Sequence, residues 1–349
     1  MVCRGNVVFG AEQWPECVNP VTSCAASPWT YYTVLEHVLP RAMQLDPQGN
    51  FAPSRLLVEA PTLANGGLTQ SPFTVTFKIS PQAVWEDGSP ITSADFAFTW
   101  RAILTTRGSI WTDGYNQITA IDSRDPQTAV IAFDRVYVDG PDLFGGAFGF
   151  ILKASAFPNV NRSTPDLSQE MQKSVPFSGG PFRLHYWSHD QAVLVANDHY
   201  FGPFAHFDQI IFVPRTDPNK EIQSLLTGEV AAIYPDVSGV IGPFRQADAP
   251  FLSVVGGDGN YVDALWFNLR APPLDDPIVR EALVYAIDRQ AIIDVVAKLN
   301  NPDAEVLNCG LLALPKQGQW CETKHFSPFK YDPTRAKAIL EAGGYDCST

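Results

Sequence analysis

Apolar and polar positions along the chain fall into short runs broken by turn residues, and the period of each run predicts its element. Residues 5–10 (GNVVFG) read as a brief strand, and Thr74 to Ile79 (TVTFKI) alternates as a half-buried strand does. Further strands are expected at Thr128–Phe133, at Phe182–Trp187 with a hairpin partner at Ala192–Ala196, at Ile210–Val213 and at Ala264–Asn268. Helical spacing is expected over Trp29–Val38 and over Asn219–Leu226, the latter ended by Gly228. Ile278–Leu299 reads as the longest helix, with Ile278, Ala282, Leu283, Ala286, Ile292, Ile293 and Val296 on one face. Pro333–Ala342 forms a last helix before Gly343-Gly344. Thr92-Ser93-Ala94-Asp95 has the form of a helix start, a hydroxyl cap with Asp95 facing the positive end of the dipole, ahead of a mostly apolar run from Phe96 to Leu104. The Gly-broken stretch Leu143–Phe157 is apolar enough to be buried. Strands and helices alternate but hairpins intrude, so the fold is mixed α/β and not a plain doubly wound sheet.

Composition narrows the class. The 349 residues are 45% hydrophobic and 17% charged, enough for real cores in two or three domains. A net charge of −13 argues against a nucleic-acid partner and against docking on an anionic membrane. No apolar run approaches the roughly 18 residues of a spanning helix. Aromatic residues reach 12%, with eight Trp. Most such residues fill a core, and a lined ligand cleft is the other use of flat rings.

The six Cys stand at 3, 17, 24, 309, 321 and 347. Cys17 with Cys24, and Cys309 with Cys321, have the spacing of short loop-closing disulfides, which need an oxidising compartment; free thiols are the other reading. No CxxC-type pair suggests zinc. Cys3 and Cys347 either pair or stay free, and Cys3 is also a candidate lipid-acceptor. The first residues lack the basic start and apolar core of a signal peptide.

Catalytic chemistry is not legible. GxSxG, GxxxxGK[ST] and HExxH are all missing, and no cofactor or metal set is indicated. Gly256-Gly257-Asp258-Gly259 reads as a plain turn, and His185 and His189 as surface residues of a strand and turn. Glu86-Asp87 and Asp275-Asp276 sit beside Gly or Pro as solvated turns. The balance moves towards binding, with no catalytic residue.

Five colinear stretches resemble the extracytoplasmic solute-binding proteins of ABC importers, family 5, the oligopeptide, dipeptide and nickel group. They are Phe77-Lys78-Ile79 with Val84-Trp85-Glu86-Asp87-Gly88-Ser89-Pro90-Ile91-Thr92-Ser93-Ala94-Asp95-Phe96; Gly179-Gly180-Pro181-Phe182-Arg183-Leu184 with Ala196-Asn197-Asp198-His199-Tyr200-Phe201; and Phe207-Asp208-Gln209-Ile210 leading to Leu225-Leu226-Thr227-Gly228-Glu229-Val230. The fourth runs from Phe267-Asn268 through Pro272-Pro273-Leu274-Asp275-Asp276 to Val279-Arg280-Glu281-Ala282-Leu283-Val284-Tyr285-Ala286-Ile287-Asp288-Arg289. The fifth is Tyr331-Asp332-Pro333 to Ala336-Lys337, with Leu340-Glu341-Ala342-Gly343-Gly344-Tyr345. Phe182, Phe201 and Ala232 depart from the family's usual residues.

The resemblance implies a type II periplasmic-binding-protein fold, two lobes with an inserted extra domain. Domain I would comprise 1–40 and 177–262, domain II the inserted 41–176, and domain III 263–349, this last incomplete because family members run on past the Ala-Gly-Tyr element. It implies an extracytoplasmic monomer, with Cys3 as the candidate site of a lipid anchor, that closes on a peptide and delivers it to a membrane permease. An oligosaccharide or nickel ligand, or a sensor or scaffold that keeps the fold, are the alternatives. Carried over to this chain, the ligand-facing residues would be Val21, Thr22 and Ser23 after Asn19-Pro20, Trp111 and Tyr115 after the domain II helix, and Trp266 and Asn268 at the entry to domain III.

Overall fold

The computed structural model describes residues 5–25, 30–46, 50–146, 148–234, 252–253, 265–299, 304–306 and 328–347. The chain divides into two compact units, Met1–Pro235 and Asp236–Thr349.

The first unit holds two main sheets. Strand β1 (Asn6–Ala11) lies between β10 (Gln209–Pro214) and β11 (Ala232–Ile233), parallel to both. The hairpin β8 (Phe182–Trp187) and β9 (Ala192–Ala196) continues the sheet antiparallel to β10, giving the order β11-β1-β10-β9-β8. This sheet therefore joins the start of the chain to strands about two hundred residues later. The second sheet, β4-β5-β7-β6, lies wholly between them, from β4 (Leu68–Gln70) and β5 (Phe73–Lys78) to β6 (Ile118–Asp122) and β7 (Thr128–Phe133). A two-stranded ribbon, β2 (Met43–Leu45) with β3 (Phe51–Pro53), stands apart.

Alternation explains the second sheet. Phe73, Val75 and Phe77 of β5 are buried, as are Ala129, Ile131 and Phe133 of β7, and Val75 faces Ile131 across the ladder. Helix α2 (Ser93–Thr105) follows, with Phe96 5.7 Å from Phe77. One apolar cluster runs from Leu194 and Phe212 of the first sheet to Phe77 and Ile131 of the second, so the two sheets share a core. The stretch 143–157 contributes Phe144, Phe150, Ile151, Leu152 and Phe157 to it, as its composition suggests.

The Trp85–Asp95 signature is built into this core. Trp85 is buried edge-on to Phe177, and Gly88 turns with φ +79°. At the start of α2 the buried Asp95 accepts from the backbone N–H of Thr92 (2.9 Å) and of Ala154 (2.8 Å), and from the Trp85 indole (3.4 Å). Burial outweighs these bonds and raises its pKa. The turn at Glu86-Asp87, expected to be solvated, is only partly so. Asp87 is ion-paired to Lys153, whose side chain is almost wholly buried, and the Glu86 carbonyl meets the His199 ring. His185 and His189 are exposed, as expected.

Upstream, α1 is a wide-turn helix, Tyr31–Leu35, continued by Glu36–Val38. Helix α3 (Pro218–Leu226) is capped by Asp217 and followed by Gly228 at φ +76°.

In the second unit the expected long helix is three pieces. Helix α4 (Pro277–Ala286) stops at Ile287, whose ψ of 120° is extended. Asp288 then caps α5 (Arg289–Val295) by accepting from the Ala291 N–H at 3.0 Å, and Ala297–Leu299 is a 3-10 turn. Apolar periodicity ran through this break because a capping Asp occupies a polar slot in either arrangement. Among the described residues the longest helix is instead α2, at 13 residues. Residues 265–268 carry no strand, against expectation; Asn268 instead opens a turn, its Oδ1 accepting from the Arg270 N–H at 3.1 Å. Helix α6 (Pro333–Ala342) packs on α4 through Ala282, Tyr285 and Ala336, with the Arg335 guanidinium over the Tyr285 ring. Cys3, the Cys309–Cys321 pair and the Gly256–Gly259 turn lie outside the described residues.

Candidate functional site

The loop between Cys17 and Cys24 is closed by a disulfide, as its spacing suggests. Inside it, buried Asn19 donates from Nδ2 to the carbonyls of Leu167 (2.8 Å) and Glu170 (3.0 Å), and its Oδ1 accepts the Val21 N–H at 3.0 Å. An Asn is suited to this place because its amide donates and accepts at once. The loop is thus pinned to a segment about 150 residues away before any ligand arrives.

It is also pinned to the segment that follows α2. Thr22 bridges Ser109 in antiparallel fashion, and the Ile110 N–H donates to the Val21 carbonyl at 3.3 Å. These contacts set Trp111 beside the loop. Its indole N–H donates to the Tyr31 hydroxyl (2.8 Å), and that hydroxyl donates to the Pro20 carbonyl (2.7 Å). Trp111 stacks on Phe148 at 4.3 Å and 21°, while Tyr31 meets both rings edge-on at 5.7 and 5.2 Å. Tyr31 is fully buried, and desolvation raises its pKa to about 12, so it keeps the proton it donates. Trp111 and Phe148 are half-buried.

The loop residues differ in what they offer. Val21 is fully buried with its N–H already given to Asn19, and Thr22 is buried with Oγ1 3.1 Å from the Cys24 sulfur. Ser23 is exposed. Tyr115 sits in the core: its hydroxyl accepts the Phe144 N–H at 3.0 Å, and its carbonyl accepts from the Trp100 indole at 3.1 Å. In the second unit Trp266 is 89% exposed and Asn268 is exposed. The structure therefore brings Val21, Thr22, Ser23 and Trp111 together and sets Tyr115 apart in the core.

Tyr31 and Phe148 were not singled out by the sequence. Nothing in Tyr31-Tyr32 or in a Gly-broken apolar run marks them, because Tyr31 meets Trp111 across 80 residues of chain and Phe148 joins the same group from a third segment. Of the assembled group, Ser23 is exposed and Trp111 and Phe148 are half-buried, while Val21, Thr22 and Tyr31 are buried behind them. Among the described residues no three His, Cys, Asp or Glu side chains cluster to hold a metal, and no helix is long and apolar enough to cross a membrane.

The sequence profile of the bacterial extracellular solute-binding proteins, family 5, matches residues 60–348. The chain belongs to this family. It is 29% identical over 279 residues to a peptide-binding protein assigned to an ABC transporter in Brucella ovis, covering 78% of this chain and 49% of that one. It is 28% identical over 319 residues to LpqW of Mycobacterium tuberculosis, described as a monoacyl phosphatidylinositol tetramannoside-binding protein, covering 89% and 48%. The chain thus spans about half the length of the curated relatives it matches. Among solved structures, its fold matches the periplasmic EDTA-binding protein EppA with a TM-score of 0.82 at 22% identity, over 99% of this chain and 65% of that one. It also matches the oligopeptide-binding protein AppA of Bacillus subtilis, solved with a nonapeptide, with a TM-score of 0.74 at 21% identity over 99% and 65%. The fold is accordingly that of the type II periplasmic binding proteins.

Proposed function

We propose that this family 5 chain serves in an extracytoplasmic receptor of an ABC importer, capturing a peptide and passing it unchanged to a membrane permease. The observation that carries the reading is the family match, taken with relatives whose descriptions name peptides. In this reading residues 1–40 and 177–262 belong to domain I, 41–176 to domain II, and 263–349 to domain III. Ligand is held between lobes that close on it; contacts made to both lobes only when closed stabilise that state by their differential affinity. In this reading exposed Ser23 and half-buried Trp111 meet the ligand, buried Val21 and Thr22 hold the loop that presents them, and exposed Trp266 and Asn268 are the contacts offered by domain III. A monomer suffices for this task.

A second reading has specific support. The description of LpqW names a mannoside, and a Trp stacked like Trp111 suits the apolar face of a sugar ring. Thermal denaturation of the full protein with panels of di- to nonapeptides, manno-oligosaccharides and nickel–histidine separates these. Stabilisation that grows with the logarithm of peptide concentration supports the first. A shift with sugars alone supports the second, and a flat response to all three panels removes both.

A further inference from the structure

Tyr31 joins the disulfide loop to Trp111, and nothing in the proposed function assigns it a part. Its hydroxyl has one proton, given to the Pro20 carbonyl at 2.7 Å, and it accepts the indole proton of Trp111 at 2.8 Å. The indole has no other donor. One face of Trp111 is covered by Phe148 at 4.3 Å. Trp111 therefore meets anything outside without a hydrogen to give, although a bare Trp commonly uses its N–H on a ligand oxygen.

We infer that Tyr31 is a positioning residue that turns Trp111 into a non-donating apolar shelf beside the Cys17–Cys24 loop, and that this shelf takes an apolar side chain of the bound peptide. The inference rests on the peptide-binding reading above and adds which part of the ligand is recognised there. Two features support it. The relay Trp111–Tyr31–Pro20 ties the shelf to the loop backbone, so shelf and loop keep one relative position. Tyr31 and Phe148 brace the indole from two directions, edge-on and face-on, which fixes its plane. A carboxylate placed on this surface would lose water and gain no donor from it, whereas a leucyl or phenylalanyl group loses nothing.

The test is Tyr31→Phe in the full protein, which keeps the ring and removes the hydroxyl. Binding is measured by calorimetry for tetra-alanine peptides carrying a single Leu or a single Glu at each position in turn. The wild type is expected to prefer Leu over Glu at one position by about tenfold or more. Tyr31→Phe, with its indole proton released, is expected to bring that ratio to within about threefold, and Trp111→Ala to abolish it. Indole exchange by nuclear magnetic resonance provides a readout independent of ligand: the Trp111 Nε1–H is protected in the wild type and exchanges at least tenfold faster in Tyr31→Phe. An unchanged Leu/Glu ratio in a folded Tyr31→Phe, or unchanged indole exchange, overturns the inference and leaves the receptor reading standing. A wild type that binds none of these tetrapeptides overturns the inference, and the receptor reading falls with it only where the di- to nonapeptide panel is flat as well.

Discussion

The carboxylate of Asp95 accepts a hydrogen bond from the backbone N–H of Ala154, 2.8 Å away across 59 residues of chain. The same side chain caps the start of α2 through Thr92. One buried group thus fixes both where a helix begins and where a distant loop lies. The first of the five family-like stretches is, at Asp95, an architectural device.

Asp95→Ala should leave the N–H groups of Thr92 and Ala154 and the Trp85 indole without their partner in the core. Lost buried bonds of this kind cost about 1–3 kcal/mol each and do not add fully, so the expected loss is about 3 kcal/mol. Urea unfolding measures it; a loss below about 0.5 kcal/mol would contradict the assigned role.

Asp87→Asn removes the carboxylate that faces the buried Lys153. Asp87 itself is more than half exposed, so solvent screens the pair, and the expected loss is about 1–2 kcal/mol. The hydrogen bonds from Lys153 and Ser89 hold the Asp87 carboxyl well below the usual range. Its contribution is therefore present above the unfolded value of 3.8 and disappears as pH falls below it. Acid titration of the wild type against Asp87→Asn should show the two curves converging below pH 3.8.

Glu221 on α3 is buried, and among the described residues its Oε1 has no hydrogen-bond partner. Desolvation raises its pKa from 4.5 to about 7. The folded state therefore holds this proton more tightly than the unfolded one. The stability it contributes is fully present below pH 4.5 and is lost as pH rises through about 7. Glu221→Gln should flatten that slope and stabilise the protein by about 2 kcal/mol at pH 8, where the wild type must bury a charge. Melting curves from pH 4 to pH 8 on both proteins decide it, and parallel curves would refute it.

Replacing Cys17 and Cys24 together by Ser opens a loop of sequence separation 7. Chain entropy alone predicts a loss of about 2 kcal/mol. Because Asn19 and Tyr31 still hold the loop, the fold should persist and reduction of the wild type should give the same shift in melting temperature. An identical melting temperature before and after reduction would show that the loop is held without the bond.

What the sequence disclosed followed from the range of the interactions involved. β7 was legible to the residue because alternation records which face is buried, β8 and β9 because turn residues bracket their hairpin, and α6 because Pro and Gly-Gly bracket it. β6 was not: Thr119 and Ala120 are exposed and Ile121 and Asp122 half-buried, and a register shift between Ile118 and Ala120 breaks the alternation that would have marked it. Lys153 could not be seen as the partner of Asp87, since a lone Lys after Ile151-Leu152 looks the same whether it reaches solvent or an ion pair. At the candidate site, Trp111 and the Cys17–Cys24 loop were reached through the family resemblance. Tyr31, which joins them, depends on a three-dimensional coincidence that no local pattern encodes, and Tyr115 was drawn into the core by its hydroxyl's bond to Phe144.

The central claim is that this family 5 protein holds a peptide and leaves it chemically intact. Calorimetric titration of the full protein with a pooled di- to nonapeptide set, followed by denaturation and mass spectrometry of what was bound, tests it most directly. The account predicts saturable one-to-one binding and recovery of peptides at their original masses. No saturable binding, or recovery of cleaved fragments, would contradict it.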